Sequence, residues 1–373
     1  MRCDWLIVGA GFSGCVLAER LASQANKRVI VVERRGYIGG TAHDAYDEHG
    51  ILIHTHGPHI FHTNYRHVVD YLSQFTSWRP YHHRVEAMID GKLVPLPFNL
   101  NSLHALFPTR LADSIEAQLV EKHGFGSDVP ILELRRSDDP ELRVLADYVY
   151  EKVFANYNLK HWGLSPEELD PAVTARVPVR ISRDNRYFRD VYQGVPAEGY
   201  TAMFRRMLDH PNIRLLLQTD YADVRDEIEC EKAVFTGPID EFFDLRFGAL
   251  PYRSMRFHHA NHGVEWLQEV GVVNYPNDHD FIRMTEHKRI TGQVAPTTTT
   301  TSEYPEAYVQ GRNEPYYPIP REDNRTLHRK YLGEANKLDG RVVFAGRLGC
   351  YQYYNMDQAV DSALALFDRE ARS

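Results

Sequence analysis

Residues 6–14, LIVGAGFSG, constrain the fold of this chain more than any other stretch. A short apolar run leads into Gly9-x-Gly11-x-x-Gly14, and a second apolar run, VIVVE, ends on Glu33, nineteen residues after Gly14. A strand, a glycine turn, a helix and a second strand closed by an acid make up a dinucleotide-binding βαβ half. Gly9 permits the tight turn, Gly11 lets the backbone approach a pyrophosphate, and Gly14 lets helix and strand pack closely. Phe12 and Ser13 open the helix, whose first amides and dipole then face the phosphates, while Glu33 accepts hydrogen bonds from ribose hydroxyls. Val16, Leu17 and Leu21 continue the helical pattern. The motif fixes a bound nucleotide but not the chemistry that follows.

With 373 residues, 43% of them hydrophobic, the chain buries a large core and is expected to hold more than one folded unit. A net charge of -8 leaves no basic footprint for nucleic acid. No apolar run approaches the ~18–20 residues that span a bilayer, so no membrane insertion is expected. The apolar run from Trp5 to Leu17 carries fingerprint glycines and no cleavage-site pattern, and reads as strand and turn, not as a signal peptide. Cys3, Cys15, Cys230 and Cys350 lack paired or ligand spacing, as expected of reduced thiols in a cytoplasmic enzyme. Several of the 22 Tyr and 17 Phe fall in polar segments, where aromatics stack on bases, flavins or sugars; most belong to the core.

Alternation from Trp78 to Pro97 around Asp90-Gly91 reads as a hairpin. Helical periodicity appears at 101–123 and 141–161, and 172–192, rich in Arg and Pro, reads as extended or irregular. A helix follows near Tyr200–Leu208, and VFTGPID is a further strand-to-turn of the nucleotide domain. Thr297–Thr301 reads as strand because β-branched residues suit strands. RVVFAGRLG and DQAVDSALALFD return to a buried strand and an amphipathic helix. The fold class is therefore α/β: a Rossmann-like dinucleotide-binding domain, assigned to FAD by the residues that follow (ERRGYIGG and the GRL strand), with an inserted small helical domain and an antiparallel β-sheet domain. The expected division gives 1–75, 193–244 and 318–373 to the nucleotide domain and 98–170 to the helical domain. Residues 76–97, 171–192 and 245–317 go to the sheet domain.

The loop ERRGYIGG brings Arg34, Gly40 and Thr41 beside the dinucleotide, and a late strand ending in GRL adds Arg347 and Met356; together these favour FAD over NAD. His54, His56, His59 and His62 invite a metal hypothesis, but they lack helical ligand spacing and a nearby carboxylate, so no metal is expected. One of them is expected against the flavin. Tyr157 and Trp162 are suited to stacking on a base, with helix packing as the plain alternative. Arg176, Arg180 and Arg283 have the side chain for bidentate phosphate contacts, although each alone reads as a solvated surface charge. The phenol clusters Tyr316-Tyr317 and Tyr351, Tyr353 and Tyr354 suit a sugar and a diphosphate.

These segments, with HGPHIFHTN, LPFN, KHWG, RVPVR, DNRYF, TGPIDEFFD, TEHK, EPYYP and GRLG, resemble the UDP-galactopyranose mutase family over nearly the whole length. The resemblance implies an isomerase, of the intramolecular transferase type, that interconverts the pyranose and furanose forms of UDP-galactose for cell-surface polysaccharide. It implies FAD, active only when reduced, whose N5 attacks the anomeric carbon and carries the sugar covalently with no net redox change. It also implies a homodimer and an external reductant. By the same resemblance Arg176, on a mobile substrate loop at about 165–180, and Arg283 grip the diphosphate, Tyr187, Tyr317 and Tyr353 hydrogen-bond it, and Tyr157 and Trp162 serve the base and loop closure. His59 lies beside the flavin and Arg347 near FAD.

The chain departs from the family pattern at Asn355, where an acid is usual, at Asn158 and His161 in the base-binding stretch, and at His56, Pro58 and His83. A mutase acting on another sugar nucleotide, dTDP- or GDP-linked, is the alternative that these changes open. A flavin oxidoreductase of the amine-oxidase kind shares the fingerprint and the GRL strand but needs no diphosphate site. A non-catalytic nucleotide-binding scaffold fits less well with motifs along the whole chain.

Overall fold

The computed structural model describes residues 1–170 and 177–371. The chain forms two compact units, Met1–Tyr81, Asp190–Ser254 and Tyr308–Ser373 in the first, His82–Arg189 and Met255–Ala307 in the second.

The first unit is built on a five-stranded parallel sheet, in the order Ile213–Leu217, Val29–Glu33, Arg2–Val8, Glu229–Phe235, Val342–Phe344. All five residues of Val29–Glu33 are buried, as a central parallel strand with both faces covered requires. Strand alternation sends Trp5, Ile7, Val29 and Val31 into a core with helices Phe12–Ser23, Tyr200–Leu208 and Met356–Ala371. Cys3, Leu6, Ile30 and Val32 face the other way, onto Val224 and Ile228. The helix Tyr200–Leu208 falls where its pattern predicts. Buried Asp44 accepts the amides of Tyr200 and Thr201 at 2.6 and 2.8 Å and so caps its start.

In the second unit, Val85–Ile89 and Lys92–Leu96 form the expected hairpin, with Asp90 and Gly91 at φ 48° and 77° in its turn. The sheet continues from the hairpin through Val272–Asn274, Arg283–Glu286 and Thr298–Ala307. Its pairs are antiparallel except one: Val272–Asn274 runs parallel to Val85–Ile89. A parallel pair needs a long crossover, and the intervening chain supplies one. Thr298 to Thr301 lie in strand, as expected, while Thr297 precedes it; the buried hydroxyls are paired: Thr298 donates to Glu286, and Thr301 shares its oxygen between His259 and His287.

The helical stretch 101–123 divides into Leu100–Leu106 and Thr109–His123, because Pro108 has no amide to continue the first helix. The second stretch is continuous but passes through a π-helical turn, Tyr150–Ala155, before Asn156–Trp162. Helices and strands share one core in which Val85, Ile89 and Val94 meet Ile115, Leu119 and Leu145. Among the described residues no helix is long and apolar enough to cross a membrane.

Candidate cofactor cavity and substrate residues

The first unit holds a cavity of about 350 Å³. Gly9, Gly11, Phe12, Ser13, Gly14, Glu33, Arg34, Gly40, Thr41, His59, Arg347 and Met356 all line it, so the sequence-predicted cofactor residues are brought together. Gly9 takes φ 101°, a left-handed turn that only glycine adopts cheaply, and a Cβ there would meet Thr236 Oγ1 at 2.1 Å. Gly11 is the N-cap of Phe12–Ser23 and offers no side-chain bond, which leaves the first amides of that helix for a ligand. Its backbone faces Gly40, where a Cβ would come within 3.1 Å of Gly11 Cα. Glu33 is buried and held in place by the amides of Ala10 and Arg35 at 2.9 and 3.0 Å. Its remaining lone pairs can accept ribose hydroxyls. Uncapped helix amides, a side-chain-free backbone and a fixed carboxylate fit a dinucleotide.

His59 is 8% exposed and lines the same cavity. Its Nδ1 bonds the Gly57 carbonyl at 2.9 Å, and burial, reinforced by nearby His54, pushes its imidazole down to about 3. It is therefore neutral at physiological pH, with the proton on Nδ1. The other histidines have different duties: His54 Nδ1 accepts the His59 amide at 3.0 Å, His62 bonds Asp190 at 2.9 Å, and His56 bonds Tyr37 and Thr55. Arg347 donates to the carbonyls of Tyr316 and Tyr354 at 3.3 and 3.2 Å and lies 5.1 Å from the Tyr317 ring, which itself meets Tyr353 edge-on at 5.3 Å. Asn355, expected among the substrate contacts, lines the cofactor cavity.

In the second unit, Tyr157 and His161 stack one helical turn apart, 5.9 Å between centroids, and Trp162 meets His161 edge-on at 4.7 Å. Asn158 is buried and donates its amide to Phe154 O at 2.8 Å, leaving its carbonyl as the group available to a ligand. His83 is buried, stacks on Phe188 and meets Tyr187 edge-on. Arg283 donates through Nε to Glu303 at 2.7 Å, and Glu303 is 1% exposed. Arg180 corrects the reading of a solvated charge: it is 4% exposed, paired with Asp128 at 3.2 Å and bonded to Arg186 O at 2.6 Å. A strand residue whose neighbours are buried must bury its stem too, and it keeps its charge only by finding these acceptors. Arg176 and residues 171–176 of the expected substrate loop lie outside the described residues.

Sequence reasoning missed Glu303, two residues past a threonine run; only the register Arg283↔Glu303 sets it opposite its partner. It also missed the cavity wall from Thr219 to Arg225, which carries no motif, and gave TGPIDEFFD, Thr236 to Asp244, to the nucleotide domain without naming any of its residues for the cofactor.

Residues 152–353 match the protein family described as UDP-galactopyranose mutase, and residues 7–75 match the NAD(P)-binding Rossmann-like domain. A probable UDP-galactopyranose mutase of Klebsiella pneumoniae is 35% identical over 367 residues, covering 97% of this chain and 93% of that protein. A dTDP-fucopyranose mutase of Escherichia coli is 32% identical over 366 residues, covering 96% of each. In fold the chain is similar to a crystal structure of reduced UDP-galactopyranose mutase, with a TM-score of 0.74 at 16% identity, over 99% of this chain and 94% of that one. With a cavity built from the fingerprint and a match that runs the length of the chain, this protein belongs to the UDP-galactopyranose mutase family.

Proposed function

We propose that the chain interconverts the pyranose and furanose forms of UDP-galactose, with reduced FAD in the cavity of the first unit. The observation that carries the reading is the gathering of every fingerprint residue on one cavity wall within a chain of this family. Reduced FAD, when bound, supplies the nucleophile for the anomeric carbon, with no net oxidation or reduction. The helix Phe12–Ser23 receives the pyrophosphate on its uncapped amides, and Glu33 takes the ribose hydroxyls. His59, neutral at working pH, orients and excludes water without donating a proton. Arg283 grips the diphosphate, its guanidinium aimed by Glu303, and Arg176 supplies the second grip. Tyr187, Tyr317 and Tyr353 hydrogen-bond the phosphates, and Tyr157 and Trp162 hold the base. The enzyme works in the cytoplasm as a homodimer, with an external reductant.

A second reading keeps the mechanism and changes the substrate to a dTDP-linked hexose. The 32% identity to a dTDP-fucopyranose mutase and the residues Asn158, His161 and Asn355 favour testing it. The test is a panel of UDP-, dTDP- and GDP-hexoses with dithionite-reduced enzyme, read by chromatography of pyranose and furanose forms. Conversion only after reduction, with no reductant consumed per turnover, is expected. Stoichiometric uptake of oxygen or another acceptor would instead identify an oxidoreductase.

A further inference from the structure

The helix Met356–Ala371 starts on the wall of the cofactor cavity, which Tyr354, Asn355, Met356 and Ala359 line. Gln358 Oε1 accepts the Asn355 amide at 2.9 Å, and the Ala359 amide bonds Asn355 O at 3.0 Å. That is half of a capping box. The other half is missing: among the described residues no acceptor takes the amides of Met356, Asp357 and Gln358. A sixteen-residue helix therefore opens with three unused donors and the positive end of its dipole.

A second observation at this end of the cavity also points to a ligand. His59 is 92% buried by its 8% exposure and lines the wall; its Nδ1 bonds Gly57 O, and its Nε2 has no hydrogen-bond partner among the described residues. Charges complete the setting. The acids on the cavity wall, Glu33, Asp220, Glu241 and Asp244, follow the strands Val29–Glu33, Ile213–Leu217 and Glu229–Phe235. The segment from Gly346 to Ala359 contributes the cation Arg347 and no carboxylate to the wall; Asp357 of the first helical turn is buried and does not line it. Glu33 marks the ribose end of a dinucleotide, so the far end, with His59, Arg347 and Asn355, receives the ring system.

We propose that Asn355 sets the redox balance of the bound flavin: an uncharged residue at the head of this helix favours the reduced ring, and a carboxylate there would oppose it. Reduction adds two electrons and one proton from an external reductant and leaves one negative charge on the ring. Unused amides and Arg347 stabilise that charge, and an amide side chain at position 355 adds no repulsion. The inference rests on the cavity being the flavin site and goes beyond it, because it assigns to a residue of the cavity wall a tuning role distinct from any contact with substrate.

The test compares flavin-loaded wild type with N355D, N355S and Q358E, each titrated anaerobically with dithionite against an indicator dye at pH 8. At any fixed potential N355D is expected to lower the ratio of reduced to oxidised flavin at least tenfold, about 30 mV for a two-electron couple. Q358E keeps the capping acceptor, so flavin retention is expected, and it should shift the ratio in the same direction. N355S should stay within about threefold of wild type, because it adds no charge. If N355D loses flavin, Q358E decides. Wild-type ratios in both acidic variants would overturn the assignment of Asn355, and failure of the wild type to hold flavin would overturn the reading of the cavity instead.

Discussion

Two alanine substitutions in the fingerprint should fail in different ways, and the difference follows from distances of a few ångströms. A Cβ on Gly14 would lie 1.9 Å from Gly9 O and 3.3 Å from Ile7 Cγ2. Carbon and oxygen need about 3.2 Å, so Phe12–Ser23 or the Gly9 carbonyl must move by more than 1 Å. Overpacking of this kind costs about 1–3 kcal/mol. Gly14→Ala should therefore lower Tm by several degrees, at ~2–4 °C per kcal/mol for a domain of this size, whether or not cofactor is bound. A Cβ on Gly11 meets nothing nearer than Gly40 Cα at 3.8 Å, an ordinary contact. Gly11→Ala should leave the flavin-free protein as stable as wild type, yet put a methyl where the pyrophosphate backbone contact must form, lowering flavin occupancy tenfold or more. Thermal melts of flavin-stripped protein and the flavin-to-protein absorbance ratio read the two effects separately. A Gly11→Ala protein that purifies with full flavin, or a Gly14→Ala protein that melts with wild type, would refute the reasoning.

Other consequences are as specific. His59 takes up its proton near 3 in the folded protein and near 6.5 when unfolded, so the unfolded chain binds more protons between those values. Stability from this group is complete above 6.5 and falls with pH, by about 2 kcal/mol at pH 5; denaturation curves at pH 8 and 5 should show His59→Asn losing that much less than wild type. Arg283→Ala should cut kcat at least a hundredfold, and Glu303→Gln about tenfold, with flavin content unchanged in both; steady-state kinetics on the reduced enzyme checks this. Asp44→Ala leaves two buried amides of helix Tyr200–Leu208 without an acceptor and should cost about 1–3 kcal/mol, read as a lower Tm.

Features governed by neighbours in sequence were legible. The Asp90-Gly91 turn, the strand of threonines and the helix Tyr200–Leu208 follow from local pattern, and the fingerprint located one wall of the cavity. Features governed by register were not. Arg283 and Glu303 are twenty residues apart and become partners only through strand pairing. Arg180 reads as a surface charge because its acceptors, Asp128 and Arg186 O, reach it only through a strand pair and the return of a loop, which spacing along the chain does not reveal. The helical and sheet segments have separate periodicities, yet they fill one core, which composition cannot reveal.

The parallel sheet has a consequence for biosynthesis. Arg2–Val8 is flanked by Val29–Glu33 and by Glu229–Phe235, one of the two edge strands is Val342–Phe344, and the helix Phe12–Ser23 shares its core with Met356–Ala371. At roughly 5–20 residues per second the fingerprint leaves the ribosome tens of seconds before its last partners. During that interval the nucleotide-binding loop lacks the part of the cavity wall that Gly346, Arg347, Leu348, Tyr354, Asn355, Met356 and Ala359 provide. A dinucleotide meets a complete cavity wall only after the segment from Gly346 to Ala359, which lines it, has been made.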